Sequence, residues 1–269
     1  MKHLYLFWVL GMACLGTACT VNSAPETTET PAKTGRQYFQ LKTYTFANPT
    51  QVSTTDAYLE QAFLPAMERL GIGPVGVFKN RLSEEDSLAK TFVLIPFDDL
   101  DVFAQYESKL AADQVYQTTG EAYITAPHDQ PPYTRVSTVL MRAFEDMPAL
   151  APTPVKGTRA DRVYELRSYE AATEDLYWRK VDMFNAGGEI DIFTDLGFNA
   201  VFYAEVMAGS QMPNLMYMTS FPNMAMRDSL WKNFVAAPAW ETLKAMDKYQ
   251  HTVSHADIYL LYPTEYSEY

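Results

Sequence analysis

Glu165, Arg167 and Tyr169 offer a carboxylate, a guanidinium and a phenol at alternate positions of one short segment, and Gln40, Lys42 and Tyr44 set out an amide, an ammonium and a phenol on the same spacing. On an extended strand alternate side chains share a face, so each trio projects together while Leu41 and Leu166 take the opposite side. If the leucine face packs beneath helices, both trios look into the space between two sheets. There a carboxylate, cations and phenols can hold or polarise a small, partly apolar molecule. All six residues are then candidates for ligand binding, and Tyr44, Glu165, Arg167 and Tyr169 for catalysis. The plainer account is a structural ion pair between Glu165 and Arg167 with tyrosines bridging the layers, because buried charges are usually paired for satisfaction alone.

Other groupings carry less chemistry. Asn185, Gly187 and Gly188, followed by Glu189, interrupt a helical pattern and could expose backbone donors to an anionic ligand; equally, the glycines let the helix bend. His251 and His255 are four apart, with Asp257 as a third donor, but they lie beyond the preceding helix, where that spacing does not align two imidazoles. His128 and Asp129 sit between Pro127 and Pro131 with no nucleophile motif beside them, which describes a turn. Gly71, Gly73 and Gly76 surround Pro74 without a following GKS or GKT and are turn glycines. No metal site and no cofactor are expected.

The elements that must position these residues are written twice. YFQLKTYTF (38–46) matches VYELRSYEA (163–171), MERLGIGPVGVFKN (67–80) matches IFTDLGFNAVFYAE (192–205), and RVSTVLMRAF (135–144) matches HADIYLLYPT (255–264). Phe97 falls opposite Phe221 in the remaining block. In the first copy the periodicities predict strands at 38–44, 75–80, 91–97 and 136–144, with helices over 56–70 and 100–116, the first kinked at Pro65. The second copy predicts strands at 163–169, 200–207, 215–220 and 257–262, a first helix from 174 interrupted at Gly187 and Gly188, and a second over 224–249. Each copy thus has the order βαββαβ, a ferredoxin-like α+β arrangement with both helices on one face of an antiparallel sheet. Two such sheets can close a barrel with helices outside and a cavity or a packed core within. The copies can pair inside one chain, as a pseudo-dimer, or between two chains of a homodimer.

Composition narrows the function. The chain has 269 residues, 48% of them hydrophobic and 14% aromatic, enough for two modest domains. A net charge of -12 supplies no basic stripe for phosphates, so no nucleic-acid partner is expected. The only cysteines, Cys14 and Cys19, precede the repeats, which excludes disulfides, thiolate zinc sites and cysteine nucleophiles from them.

Residues 1–19 have the order of an export signal: a short charged start, the apolar run LYLFWVLGMACL, then GTAC. A cysteine after small residues resembles the bacterial lipoprotein signal and makes Cys19 the expected lipidation site, although Gly16 stands where such signals prefer Leu. Residues 20–36, rich in Thr, Ser, Pro and Glu, read as a tether. Residues 37–146 and 162–269 form the two domains, and the proline-bearing stretch 147–161 links them. The expected address is periplasmic or cell-surface, with membrane contact only through the lipid.

KVDMFNAGGEIDIFTDLGFNAVFYAEVMAG (180–209), NLMYMTSFPNMAMRDSLWKNFVAAPAW (214–240) and DIYLLYPTEYS (257–267), with VYELRSYEA before them, resemble the NIPSNAP family across almost all of the second copy. The first copy is similar but divergent, keeping IGPVGVFK and AADQVY and lacking the paired glycines. The resemblance implies the dimeric α/β barrel superfamily, which holds cofactor-poor monooxygenases, haem proteins and non-catalytic members; it does not imply a reaction. Three functions are therefore weighed: binding of a small molecule in the barrel, a small oxygenase or isomerase-like enzyme, and a non-catalytic interaction module.

Overall fold

The computed structural model describes residues 35–83, 87–151 and 155–269. Cys19, the export signal and nearly all of the tether lie outside the described residues. In the first half, strand β1 (Tyr38–Thr45) leads to helix α1 (Pro49–Tyr58), which runs through a π-helical turn (Leu59–Phe63) into α2 (Leu64–Arg69). Strands β2 (Gly76–Asn80) and β3 (Lys90–Phe97), helices α3 (Leu100–Ala112), α4 (Gln114–Thr119) and α5 (Glu121–Ile124), and strand β4 (Arg135–Ala143) follow. The second half repeats the plan with β5 (Val163–Glu170), α6 (Glu174–Phe184), α7 (Glu189–Asp195), β6 (Asn199–Ala208), β7 (Asn214–Phe221), α8 (Met224–Ala236), α9 (Pro238–Lys244) and β8 (His255–Pro263).

Short polar residues start the four principal helices. Asn48, Asp99, Thr173 and Asn223 are in extended conformation, and each side chain accepts from the amide three residues on, relieving one of the unpaired donors of the first turn. This corrects the first helix, expected from residue 56: Asn48 caps it and Pro49, preorganised for the first helical position, begins it. The long second helix of each half also divides. Asp113 leaves the helical region and caps α4 through Val115 and Tyr116; Ala237 does so because Pro238 follows it. The first helix changes character at the same place in both halves: the π-helical turn of the first half aligns with 184–188 of the second, where α6 gives way to α7.

All strand pairs are antiparallel, and the eight strands close in the order β1-β3-β2-β8-β5-β7-β6-β4. The register carries the repeat: Tyr38 faces Phe97 in the first half and Val163 faces Phe221 in the second. Two seams join the halves. Lys79 faces Tyr262 where β2 meets β8, and Arg142 faces Glu205 where β4 meets β6, their side chains 2.7 Å apart. No described helix is long and apolar enough to cross a membrane.

The barrel interior is filled by side chains. Phe39, Leu41, Phe78, Phe92 and Met141 from the first half pack with Tyr164, Leu166, Phe202, Met218 and Leu261 from the second. Tyr269 folds back over one end of this core; its ring centroid lies 5.6 Å from that of Phe78 and 6.4 Å from that of Tyr164. Val77 N–H, donating to Ser267 Oγ at 2.9 Å, holds its segment to β2, and Arg159, in the stretch before β5, donates to the Tyr269 carbonyl. Outside the wall, α1, the π-helical turn, α2 and α3 cover one half with Leu59, Phe63, Met67, Tyr106 and Leu110. In the other half α6, α7 and α8 bring Phe184, Phe193 and Phe234 against Tyr203 and Tyr217.

This arrangement reverses the expected orientation of both trios. Leu41 and Leu166 belong to the barrel interior, so Gln40, Lys42 and Tyr44, and likewise Glu165, Arg167 and Tyr169, point outward beneath the helices. The physical reason lies in the neighbours along each strand. Phe39 and Tyr164 share the leucine face, and facing another sheet at close packing favours that apolar row over one holding charges.

Candidate functional site

Strands β1 and β5 stand four places apart around an eight-stranded barrel, so the two trios occupy opposite sides and never meet. Each has instead acquired partners from its own helix layer.

In the second half Glu165 is fully buried and its carboxylate is saturated. Arg227 of α8 donates through Nε to Oε2 at 2.7 Å and through Nη2 to Oε1 at 2.9 Å, the paired geometry that suits a guanidinium. Arg167 Nε donates to Oε1 at 2.7 Å, and Trp231 Nε1 donates to Oε2 at 2.7 Å. Arg167 continues the chain through Nη1 to the Tyr169 hydroxyl at 2.7 Å, and the Tyr169 and Tyr217 hydroxyls are 2.9 Å apart. Its guanidinium lies 3.7 Å from the centroid of the Trp231 ring, a close cation–π contact. Burial opposes ionisation of Glu165, but the Arg227 hydrogen bonds and the charges of Arg167 and Arg227 outweigh it and hold the carboxyl below its ordinary value.

A second buried pair lies deeper in the same layer. Lys180 Nζ is 2.7 Å from Glu189 Oε2 and 4.7 Å from the centroid of the Phe184 ring. Burial pushes the Glu189 carboxyl up against the opposing pull of Lys180.

The first half is a weaker copy with the charges exchanged. Lys42 on the strand meets Glu107 on α3 at 3.1 Å, and Gln40 accepts from Tyr106 Oη at 2.7 Å while donating to Thr138 Oγ1 at 2.9 Å. Tyr44 is buried beside Tyr133, and burial pushes its phenol up to about 12, so it stays protonated at neutral pH. A general base needs an acceptor that is free and tuned near the working pH. Glu165, with every acceptor used and a depressed pKa, and Tyr44, with a raised one, both fail that requirement.

The structure keeps Asn185, Gly187 and Gly188 apart from this network and spends their polar groups locally, which corrects the anion-binding reading. Gly187 N–H donates to Asp182 O at 2.8 Å and Gly188 N–H to Asn185 O at 2.8 Å; Asn185 donates to Val181 O and accepts from Asp146 N–H. The first turn of α7 carries Glu189 and Asp191, which would repel an anion. The glycines are needed for shape. Gly188 has φ +84°, and a Cβ at Gly187 would stand 2.6 Å from Met183 O and 2.7 Å from the Tyr249 hydroxyl, which itself donates to Asp182 at 2.7 Å. Gly187→Ala is therefore expected to cost about 1–3 kcal/mol through overpacking, read as a lower urea midpoint with an unchanged slope.

His128 and Asp129 are exposed in the segment between α5 and β4. His251 remains in a turn with φ +60°, while His255 opens β8, so the two do not form a metal-binding pair.

Sequence reasoning missed Arg227, Trp231 and Lys180 as members of the buried network. Arg227 and Trp231 are four apart on α8 and thus share a face, a signal that was present. Tyr217 is the register partner of Arg167, which becomes visible only once the strands are paired.

A closed barrel of two βαββαβ halves with helices outside defines a protein of the dimeric α/β barrel class. Two solved structures share this plan along nearly the whole chain. A candidate monooxygenase from Fusobacterium nucleatum subsp. nucleatum is 7% identical, with a TM-score of 0.53 over 86% of this chain and 93% of that chain. An anthrone oxidase-like protein is 10% identical, with a TM-score of 0.50 over 86% and 93%. Identities this low show a common fold alone. Residues 164–268 match the NIPSNAP family. A NIPSNAP family protein of unknown function from Agrobacterium tumefaciens strain C58 is 18% identical, covering 42% of this chain and 98% of that chain with a TM-score of 0.35. No curated protein matches.

Proposed function

We propose that this chain is an exported, lipid-anchored, non-catalytic interaction protein, tethered through Cys19 and closing its barrel within a single chain. The observation that carries the reading is the state of Glu165: a carboxylate held by Arg167, Arg227 and Trp231 is a structural group without an acceptor to spare. The filled barrel interior supports it: Phe39, Leu41 and Phe78 pack with Tyr164, Leu166 and Leu261 where the two sheets' leucine faces meet. An oxygenase or isomerase-like activity draws no support from the similar folds, whose identity to this chain is too low to carry chemistry across. The acidic balance of the chain suits a partner with a basic face.

A second reading has one observation in its favour. A hollow of about 370 Å³ lies at the end of the barrel against Gln37, Pro74, Leu150 and Tyr269, within the size range of small-molecule sites. The buried Tyr269 hydroxyl has no hydrogen-bond partner among the described residues. The small, partly apolar ligand expected between the sheets would on this reading sit at the mouth.

Native mass spectrometry of the full chain released from membranes separates the two. The interaction reading expects a protein mass carrying an acyl modification at Cys19 and no stoichiometric small molecule. A retained small molecule, lost in Tyr269→Ala, would replace it with the ligand-binding reading. An unmodified Cys19 would remove the anchor.

A further inference from the structure

We propose that Glu170, His255 and Asp257 form a binding site for a divalent first-row transition ion at the rim of the barrel in the second half. The site lies on the other face of β5 from the Glu165 network. Period two carries the interior face from Tyr164 and Leu166 through Ser168 to Glu170, and from Leu261 through Tyr259 to Asp257 and His255.

Strand register assembles the donors. Glu170 is paired with His255 across β5–β8 and with Asn214 across β5–β7, so the three stand in one cross-strand row, with Asp257 one step inward beside Ser168. One ligand atom each from Glu170, His255 and Asp257 lies within 4.8 Å of the others. An ion with bonds of about 2.1 Å holds its donors roughly 3–4 Å apart, so side-chain rotation alone closes the remaining gap. Two carboxylates balance a divalent charge, and the imidazole favours zinc, cobalt or nickel over magnesium and calcium, which prefer all-oxygen shells.

Two further observations point to a cation. Asn214 is 2% exposed, and among the described residues its buried Oδ1 accepts no hydrogen bond, although its Nδ2 donates to Ser168 Oγ at 2.8 Å. A buried acceptor lacking a donor is costly, and Asn214 shares its cross-strand row with Glu170 and His255, which makes it a neighbour of a cation held there. The Gln211 amide nitrogen, at 2.9 Å from Glu170 Oε1 and 3.2 Å from Asp257 Oδ2, bridges the two carboxylates. Both oxygens thus converge on one point where positive charge is favoured. Gln211 is exposed and can yield that point to an ion, or turn its carbonyl inward as a further ligand.

Isothermal titration of the full chain with ZnCl2 tests this, with Cys14→Ser and Cys19→Ser removing the thiols. The expected result is about one saturable site, weakened about tenfold or more by His255→Ala and by Glu170→Gln and unchanged by His251→Ala. His255 is exposed, so its replacement leaves the fold intact; His251→Ala controls for zinc held by the neighbouring turn. No saturable uptake up to about 1 mM, or equal affinity in wild type and His255→Ala, overturns the proposal.

Discussion

Glu165→Gln is expected to lower the unfolding free energy by about 3–5 kcal/mol, because it leaves Arg167 and Arg227 confined around a group that no longer neutralises them. The size of the effect follows from asymmetry. Forming a buried ion pair gains little over an apolar pair, since both charges give up water, but removing one member strands the other. Here one carboxylate serves two guanidiniums and an indole N–H, so its loss disconnects β5 from α8 as well. Urea denaturation measures the change. A shift below about 1 kcal/mol would place the pair among solvent-screened surface contacts and contradict its structural role.

The same group shapes the acid limb of stability. The folded pKa of Glu165 lies below its ordinary value of 4.5, so the unfolded chain takes up the proton first as pH falls. Its contribution is therefore fully present above that ordinary value and is lost as pH drops through the folded value. Melting curves recorded across this range are expected to fall for wild type and to fall less steeply for Glu165→Gln. If Glu165 were a catalytic base, the raised pKa required would give the opposite displacement.

Phe78→Ala is the second large effect, with an expected cost of about 3–5 kcal/mol. The Phe78 ring is fully buried at the meeting of the halves, with centroids 4.7 Å from Tyr164 and 5.6 Å from Tyr269. Truncation removes those contacts and leaves a void that neither sheet can close without shifting the β2–β8 seam. Thermal unfolding reads the loss. A near-neutral result would mean that the interior is loosely occupied and would restore a ligand cavity between the sheets.

The repeat made the topology legible. Matching 38–46 with 163–171, and Phe97 with Phe221, laid equivalent strands over one another, and βαββαβ written twice pointed to a closed barrel, formed within one chain or between two. The orientation of the trios was not legible, because period two says that Glu165 and Leu166 face opposite ways but not which way is in. That depends on what covers each face. Arg227 and Trp231, some sixty residues away in the chain, make the helix side hospitable to a carboxylate. The break at Gly187 was visible as a broken pattern, and the Met183 carbonyl that crowds it is local, whereas the Tyr249 hydroxyl that also demands a glycine there arrives only when α6 folds against the segment after α9. His255 and Asp257 were noted together, yet Glu170, which completes their group, belongs to another strand and becomes a neighbour only through register.

Both halves close one barrel within a single chain. Lys79 and Tyr262 face each other across the β2–β8 seam, so cysteines at these positions in a chain carrying Cys14→Ser and Cys19→Ser should be close enough to bond. Lys79→Cys/Tyr262→Cys is expected to oxidise to an intrachain link, running as a monomer on a non-reducing gel. A covalent dimer that disappears on reduction would show that the halves pair between chains and would rule out the single-chain barrel.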